Sequence, residues 1–278
     1  MLAPLVFSAN LTDPWLLLRA FLAAGLFCLL SGAVYLINDI FDVEKDRAHP
    51  TKRNRPIASG ALPLRTARIT ALAMVVVALA GAFALDLGLG AVAAFYLGQN
   101  LLYSWKVKHL AFLDVTSIAL GFLLRTLAGA FAIDVYFSPW LFGCTFLLAL
   151  YLGLGKRKHE MLEAGLGKGK QRQVLENYRL ESLNYALLIC AGLTIAAYTA
   201  YSMSVSLPGQ PWHLERAPFE SPWLPVTIPF AILGIVRFYF LVSRVDEAES
   251  PTDRMIRDPI FLTNIGLWGI AILVLIYV

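Results

Sequence analysis

Between residues 38 and 60 the chain reads Asn38-Asp39-Ile40-Phe41-Asp42-Val43-Glu44-Lys45-Asp46, then His49-Pro50, Lys52, Arg55-Pro56 and Ser59-Gly60. Four acids and five bases crowd onto the end of a long apolar run. Asn38, Asp42 and Asp46 are spaced i, i+4, i+8, with Asp39 beside them. On a helix, four-residue steps stack on one face. Carboxylates so close repel one another unless a cation lies between them. Mg²⁺ takes oxygen ligands and typically uses one or two carboxylates together with waters and substrate phosphates. Asn38 and Asp42 fit as its ligands; Asp39 and Asp46 fit as supporting groups or as holders of a further ion. Pro50 and Pro56 end the helix and turn Lys52 and Arg55 back toward the acids. The chemistry is metal-assisted handling of phosphates. The plainer reading of the same residues is a solvated helix end with salt bridges to Lys45 and Arg47.

The elements that must hold this motif are transmembrane helices. The chain has 278 residues, 58% of them hydrophobic and 15% charged, with a mean hydropathy of +0.66. An ordinary soluble domain is about a quarter charged. Apolar runs of about 20 residues recur throughout, the signature of an all-α polytopic membrane protein. One domain over 1–278 is expected, since no linker is long enough to fold alone. Full spans are expected at 15–40, 64–85, 87–105, 111–134, 137–156, 183–205, 223–243 and 258–278. Residues 1–9 are apolar but too short to cross a bilayer core of about 30 Å. A cleavable signal peptide is not expected, because the N-terminus lacks a basic region and a cleavage site. Cys28, Cys144 and Cys190 all lie within apolar runs and read as core residues.

Charge distribution gives an orientation. Seven basic residues lie from Lys45 to Arg68 and seven more from Lys156 to Arg179, with Lys106, Lys108, Arg237, Arg244, Arg254 and Arg257 on the same side. The other side has only Arg19 and Arg216. By the positive-inside rule the charged loops face the cytoplasm, which puts the C-terminus outside. Trp212 and Trp223 suit an interfacial place on the outer side.

Further charge sits in Tyr103–Ile118. Asp114 has Ile118, not an acid, four residues on, while Lys106 and Lys108 precede it and Arg125 follows. Asp114 and Arg125 are eleven residues apart, about three turns, so they share a helix face. An arginine inside a span is costly and marks a polar cavity. Either the two form a buried pair that locks packing, or Arg125 clamps a phosphate. Lys156 and Arg157 open the next charged loop. They can meet phosphate or serve topology alone, with Glu160 and Glu163 one turn away to pair with the bases.

The 38–60 stretch resembles the Asn-Asp-x-x-Asp-x-x-x-Asp motif of the UbiA-type intramembrane transferase superfamily. With His49-Pro50-Thr51-Lys52 and Arg55-Pro56-Ile57-Ala58-Ser59-Gly60 it is similar, more narrowly, to the decaprenyl-phosphate phosphoribosyltransferase branch. Prenyltransferases of the superfamily carry a second motif, Asp-x-x-x-Asp, which Ile118 breaks here. Lys108-His109, Leu124-Arg125-Thr126-Leu127-Ala128-Gly129 and Gly155-Lys156-Arg157 match the branch instead. So does the connection 250–258, read as a cap over the site. The resemblance implies a UbiA-type helical bundle of nine helices, with eight full spans here and the first helix cut short. The branch's opening basic segment has no counterpart before Met1. It implies transfer of a 5-phosphoribosyl group from phosphoribosyl diphosphate to a decaprenyl-like polyprenyl phosphate, releasing pyrophosphate, for cell-envelope precursors. Mg²⁺ is the implied cofactor, and the implied place is the inner membrane, with the site on its cytoplasmic face. The implied catalytic set is Asn38, Asp42, Lys108 and Arg125. Tyr35, Lys52, Arg55, Lys106, Lys108, Arg125, Lys156 and Arg157 are the implied substrate contacts. No nucleic-acid partner is expected, and a homo-oligomer is compatible with the pattern. Two other readings stand beside this one: a classical prenyltransferase, and a transporter using the charges as a permeation path.

Overall fold

The computed structural model describes residues 1–50, 52–136, 139–165, 173–206, 221–243 and 251–278. Trp212, Arg216 and Arg244 lie outside them, as do Lys168, Lys170 and Arg172. Among the described residues every regular element is a helix: α1 (Ala3–Phe7), α2 (Pro14–Phe41), α3 (Val43–Ala48), α4 (Leu64–Leu85), α5 (Leu87–Trp105), α6 (Leu113–Ala132), α7 (Pro139–Gly165), α8 (Leu180–Ser206), α9 (Ile228–Ser243), α10 (Pro251–Arg257) and α11 (Pro259–Tyr277). Four single 3₁₀ turns join them, at Lys52–Asn54, Val107–His109, Gln173–Asn177 and Leu224–Thr227.

Among the described residues, seven segments are long and apolar enough to cross a membrane: α2, α4, α6, α7, α8, Leu224–Ser243 and α11. The chain is a multi-pass membrane protein. The eighth expected span, α5, has 19 residues but carries Gln99 and Asn100, and it falls outside that set. The connection 250–258, read as a cap over the site, contains α10. The expected loop after residue 156 is also corrected, since α7 runs on to Gly165. Arg157 and Glu160 lie three residues apart and pair at 2.6 Å within this extension, the spacing a continuing helix provides.

The chain divides into two compact units. The first comprises Met1–Leu5, Leu11–Lys108 and Leu124–Val135. Here Asp13 caps α2 by accepting from the N–H groups of Trp15 and Leu16, and Pro14 starts the helix. Asp86 closes α4 and opens α5, accepting from Leu89 N–H at 2.8 Å. Gly90 fits this tight turn because a Cβ there would strike the Phe83 ring. Arg19 donates to the carbonyls of Leu85 (3.2 Å) and Ala132 (2.7 Å), the last residues of α4 and α6. A guanidinium at helix C-termini satisfies carbonyls that have no helical partner. That end of the unit is therefore fastened, and the motif lies at the other.

The second unit comprises Val6–Asn10, His109–Leu123 and Tyr136–Val278. Its core joins Tyr151 and Leu154 of α7, Leu183 and Leu187 of α8, and Phe238 and Val242 of α9. The Tyr151 hydroxyl donates to the Ile235 carbonyl at 2.8 Å, so a buried phenol in an apolar helix has its partner. Asp258 caps α11 by accepting from Phe261 N–H and also binds Arg237 of α9.

Candidate active site

In the first unit, α2 does not continue through the acidic motif as the spacing predicted. It ends at Phe41, and Asp42 (φ −96°, ψ 5°) stands between α2 and α3. The hydrogen bonds Asp42 N–H to Asn38 O (3.0 Å) and Asp46 N–H to Asp42 O (2.8 Å) keep both neighbours one turn away. The break redistributes the acids. Asp46 becomes almost fully buried, while Asp42 and Asp39 stay partly open.

Two bases close over them. Lys108 Nζ donates to both carboxylate oxygens of Asp42, each at 2.8 Å. Arg55 Nη1 donates to Asp39 Oδ1 and Asp46 Oδ2, again at 2.8 Å. The expected pairing with Lys45 and Arg47 is therefore not the one adopted by the motif aspartates. Arg47 instead pairs with Glu44 at 3.0 Å. The loop that delivers Arg55 is shaped by local bonds. His49 Nδ1 accepts from Lys52 N–H at 3.2 Å, and Leu62 N–H donates to the Pro56 carbonyl at 2.8 Å. Gly60 sits at φ +83°, a left-handed turn that glycine takes without strain.

The other candidates separate into two groups. Lys52, Lys106 and Lys156 are exposed, as is Tyr35. Arg125 Nη2 donates to the Tyr96 hydroxyl at 2.6 Å, and that hydroxyl lies 3.1 Å from Ser31 Oγ. Ser31 precedes Asp42 by eleven residues, roughly 16 Å along a helix axis. The structure thus brings Lys108 to Asp42 and holds Arg125 about three turns deeper, at the level of Ser31.

Asp114 does not pair with Arg125, although both lie on α6. In the second unit it is fully buried: Oδ2 accepts from Arg157 Nε at 2.7 Å and Oδ1 from the Tyr178 hydroxyl at 2.5 Å. The same Tyr178 oxygen accepts from Phe112 N–H at 2.7 Å, which helps hold Phe112 at φ +64°. Burial and the bond to Asp114 push the Tyr178 phenol well above its ordinary pKa. Arg157 also binds Glu160 and keeps only 2% of its surface exposed, whereas neighbouring Lys156 points outward. Tyr96 and Tyr178 were missed by sequence reasoning. Tyr96 had one usable signal, a phenol amid apolar residues that requires a polar partner. Tyr178 had none, because its partners Phe112 and Asp114 are 66 and 64 residues away.

Among the described residues, no three His, Cys, Asp or Glu side chains are grouped to hold a metal by themselves. The oxygen donors at Asp39, Asp42 and Asp46 nonetheless fit a Mg²⁺ ion that draws its remaining ligands from water and a diphosphate. Each of these carboxylates is already paired with a base, Asp42 with Lys108 and both Asp39 and Asp46 with Arg55.

The family model described as UbiA prenyltransferase family matches residues 1–160. A decaprenyl-phosphate phosphoribosyltransferase of Mycolicibacterium smegmatis is 34% identical over 251 residues, covering 88% of this chain and 78% of that protein. One of the same name from Mycobacterium tuberculosis is 33% identical over 238 residues, covering 85% and 74%. Among solved structures, a UbiA homologue from Archaeoglobus fulgidus bound to DMAPP and Mg²⁺ superposes with a TM-score of 0.66 at 18% identity, over 98% of this chain and 96% of that one. Matched by the family model over more than half its length, and carrying the Asn38–Asp46 motif at the end of its first long helix, this chain belongs to the UbiA prenyltransferase family.

Proposed function

We propose that the protein transfers a 5-phosphoribosyl group from phosphoribosyl diphosphate to a polyprenyl phosphate and releases pyrophosphate. The name shared by the Mycolicibacterium and Mycobacterium relatives supports this reading. The observation that carries it is the fate of the second acid. Asp114 has both oxygens occupied by Arg157 and Tyr178 and is sealed from solvent, with Ile118 one turn on. A donor that needs two acidic clusters for its diphosphate finds one, joined by Lys108. A Mg²⁺ ion held by Asp42 and Asn38, with Asp39 and Asp46 in support, supplies charge neutralisation to the leaving diphosphate.

The chain's own groups do the rest. Lys108 moves from Asp42 to a diphosphate oxygen as that oxygen gains charge, which is where electrostatic stabilisation counts most. Lys106 and Lys52, both exposed, add to the binding field, with Arg55 keeping its loop in place. Arg125 of α6, at the depth of Ser31, serves the donor's second phosphate together with exposed Tyr35, one turn of α2 nearer the motif. The bond from C1 to the diphosphate oxygen breaks, with the electron pair leaving on pyrophosphate. A polyprenyl phosphate oxygen forms the new bond at C1 with inversion. No general base is required, because the attacking phosphate is already anionic. Lys156 offers a contact to the lipid phosphate, while Arg157 acts only through Asp114.

The wider proposals go with it: one domain over 1–278, a nine-helix plan with α1 as the shortened first helix, an inner-membrane location with the site on the cytoplasmic side, a role in cell-envelope precursors, and a homo-oligomeric assembly. The test is purified protein with labelled phosphoribosyl diphosphate and defined polyprenyl phosphates. Label should enter the lipid with stoichiometric pyrophosphate, only with Mg²⁺. Transfer of a prenyl group from a prenyl diphosphate to an aromatic acceptor, with no labelled lipid, overturns the reading in favour of a classical prenyltransferase.

A further inference from the structure

On the first unit, α2, α4 and α5 enclose an apolar groove with a cavity of about 330 Å³. Ile37 and Phe41 of α2, Leu72 and Val75 of α4 and Leu101 of α5 contribute to its walls, and Arg68 of α4 is the one ionisable side chain among its lining residues. Arg68 is exposed and has no carboxylate partner among the described residues. Phe41 ends α2, Arg68 lies one turn into α4, and Leu101 lies one turn before the end of α5. The groove therefore opens at the end of the helices where exposed Trp105 and Lys106 stand, a place that suits the headgroup level of a bilayer.

This groove is not the catalytic cluster seen from another side. Ile37 and Phe41 stack on one face of α2, and Asp39 is about 180° round the helix from their midpoint at 100° per residue. Asp39 faces Arg55 and Asp46 instead. An anion seated at Arg68 is thus on the opposite face of α2 from Asp39.

We propose that the groove is a binding site for an anionic phospholipid, with an acyl chain along Leu72, Val75 and Leu101 and the phosphodiester on the Arg68 guanidinium. Chain and charge fall in the order a lipid needs. The apolar walls run down from the helix ends, and Arg68, the one ionisable residue in the lining, stands beside the mouth. A guanidinium offers a phosphate a planar, bidentate fork and keeps its charge at every physiological pH. A neutral lipid fills the same walls but leaves the cation without a counter-ion. Attraction of one basic side chain to an anionic membrane surface corresponds to about fivefold in affinity.

Lipid retention during exchange in nanodiscs, read by native mass spectrometry, tests the site. Phosphatidylglycerol and phosphatidylcholine with matched acyl chains are the probes. The wild-type protein should retain phosphatidylglycerol about fivefold over phosphatidylcholine. Arg68→Gln should lose that preference while still retaining lipid, and Leu72→Trp, which fills the groove, should lose one bound lipid of either kind. An unchanged preference in Arg68→Gln overturns the site. So does one-for-one displacement of phosphatidylglycerol by a polyprenyl phosphate, which makes the groove the acceptor's. A multi-copy assembly that Leu72→Trp splits into single chains also overturns it, since a second copy then covers the groove.

Discussion

Two clusters in this protein use the same chemistry to different ends. Lys108 meets Asp42 at 2.8 Å and Arg157 meets Asp114 at 2.7 Å, so distance does not distinguish them. Burial does. The Lys108 and Asp42 side chains keep 16% and 21% of their surface, the Arg157 and Asp114 side chains 3% and 1%. A partly solvated pair contributes little net stability and can be opened at low cost. A buried pair loses several kcal/mol of desolvation if either partner departs. The first cluster is therefore able to trade its base for a metal ion and a phosphate. The second is a fastening. Its third member, Tyr178, ties the Gln173–Leu180 connection to the start of α6 through Asp114 and Phe112.

Neutralising one acid in each cluster should separate the two roles. Asp42→Ala is expected to lower transfer by about a thousandfold, as loss of a principal electrostatic contact does, with unfolding free energy changed by less than about 1 kcal/mol. Activity assays and thermal unfolding in the same detergent read both quantities. Full activity in Asp42→Ala breaks the assignment of the first cluster. Asp114→Ala should do the reverse, losing about 3 kcal/mol of stability while leaving Arg157 its bond to Glu160. Replacing the pair by Asp114→Leu with Arg157→Met should recover much of that loss, because apolar substitutes remove the uncompensated charge. A double variant no more stable than Asp114→Ala would show that the pair does more than fasten.

A smaller effect isolates the third member. Tyr178→Phe keeps the ring against Phe112, 4.9 Å away, but removes the hydroxyl from both Asp114 and Phe112 N–H. The expected loss is about 1–2 kcal/mol. Because the folded phenol's pKa is raised, its contribution is fully present below the ordinary tyrosine value of about 10 and is lost only as pH climbs through the higher folded value. Wild type and Tyr178→Phe should therefore differ by the same amount from pH 6 to pH 9 in denaturant titrations. A difference that shrinks within that range contradicts the raised value.

Much of this was legible in the chain itself, and the limits have physical causes. The acidic motif and the returning Arg55 follow from residues sixteen apart or closer, within reach of local helix and loop rules. Helix positions followed from apolar run length. One local prediction failed, and one open alternative is not the one adopted. The helix breaks at Asp42, whose side chain is held by Lys108 from 66 residues away, a contact no periodicity encodes. The alternative of a buried Asp114–Arg125 pair rested on helix spacing alone, which says that two residues share a face but not which neighbour each one meets. Arg157 won because it arrives from α7 at hydrogen-bond distance, while Arg125 found Tyr96. The extension of α7 past Lys156 had a signal in Arg157–Glu160 and His159–Glu163, pairs at i, i+3 and i, i+4.

In a third ion pair the acid lies between Asp42 and Asp114 in exposure, which tests whether exposure of the acid grades the response. Asp258 and Arg237 keep 10% and 25% of their side-chain surface, and Asp258 also caps α11 through Phe261 N–H at 2.7 Å. The Arg237 hydrogen bonds hold the Asp258 carboxyl below the ordinary aspartate range. A depressed folded value means that its stabilisation is complete above the unfolded pKa of about 3.9 and is lost as pH falls through the lower folded value. Asp258→Asn retains a capping oxygen and gives up the charge, so it should cost about 1 kcal/mol at pH 7. The gap between wild type and Asp258→Asn in thermal unfolding should be constant from pH 7 to pH 5 and should close below about pH 4. A gap as large as that of Asp114→Ala would mean that capping, not burial, sets the scale, and the contrast between the two clusters would then need a cause other than solvent exposure.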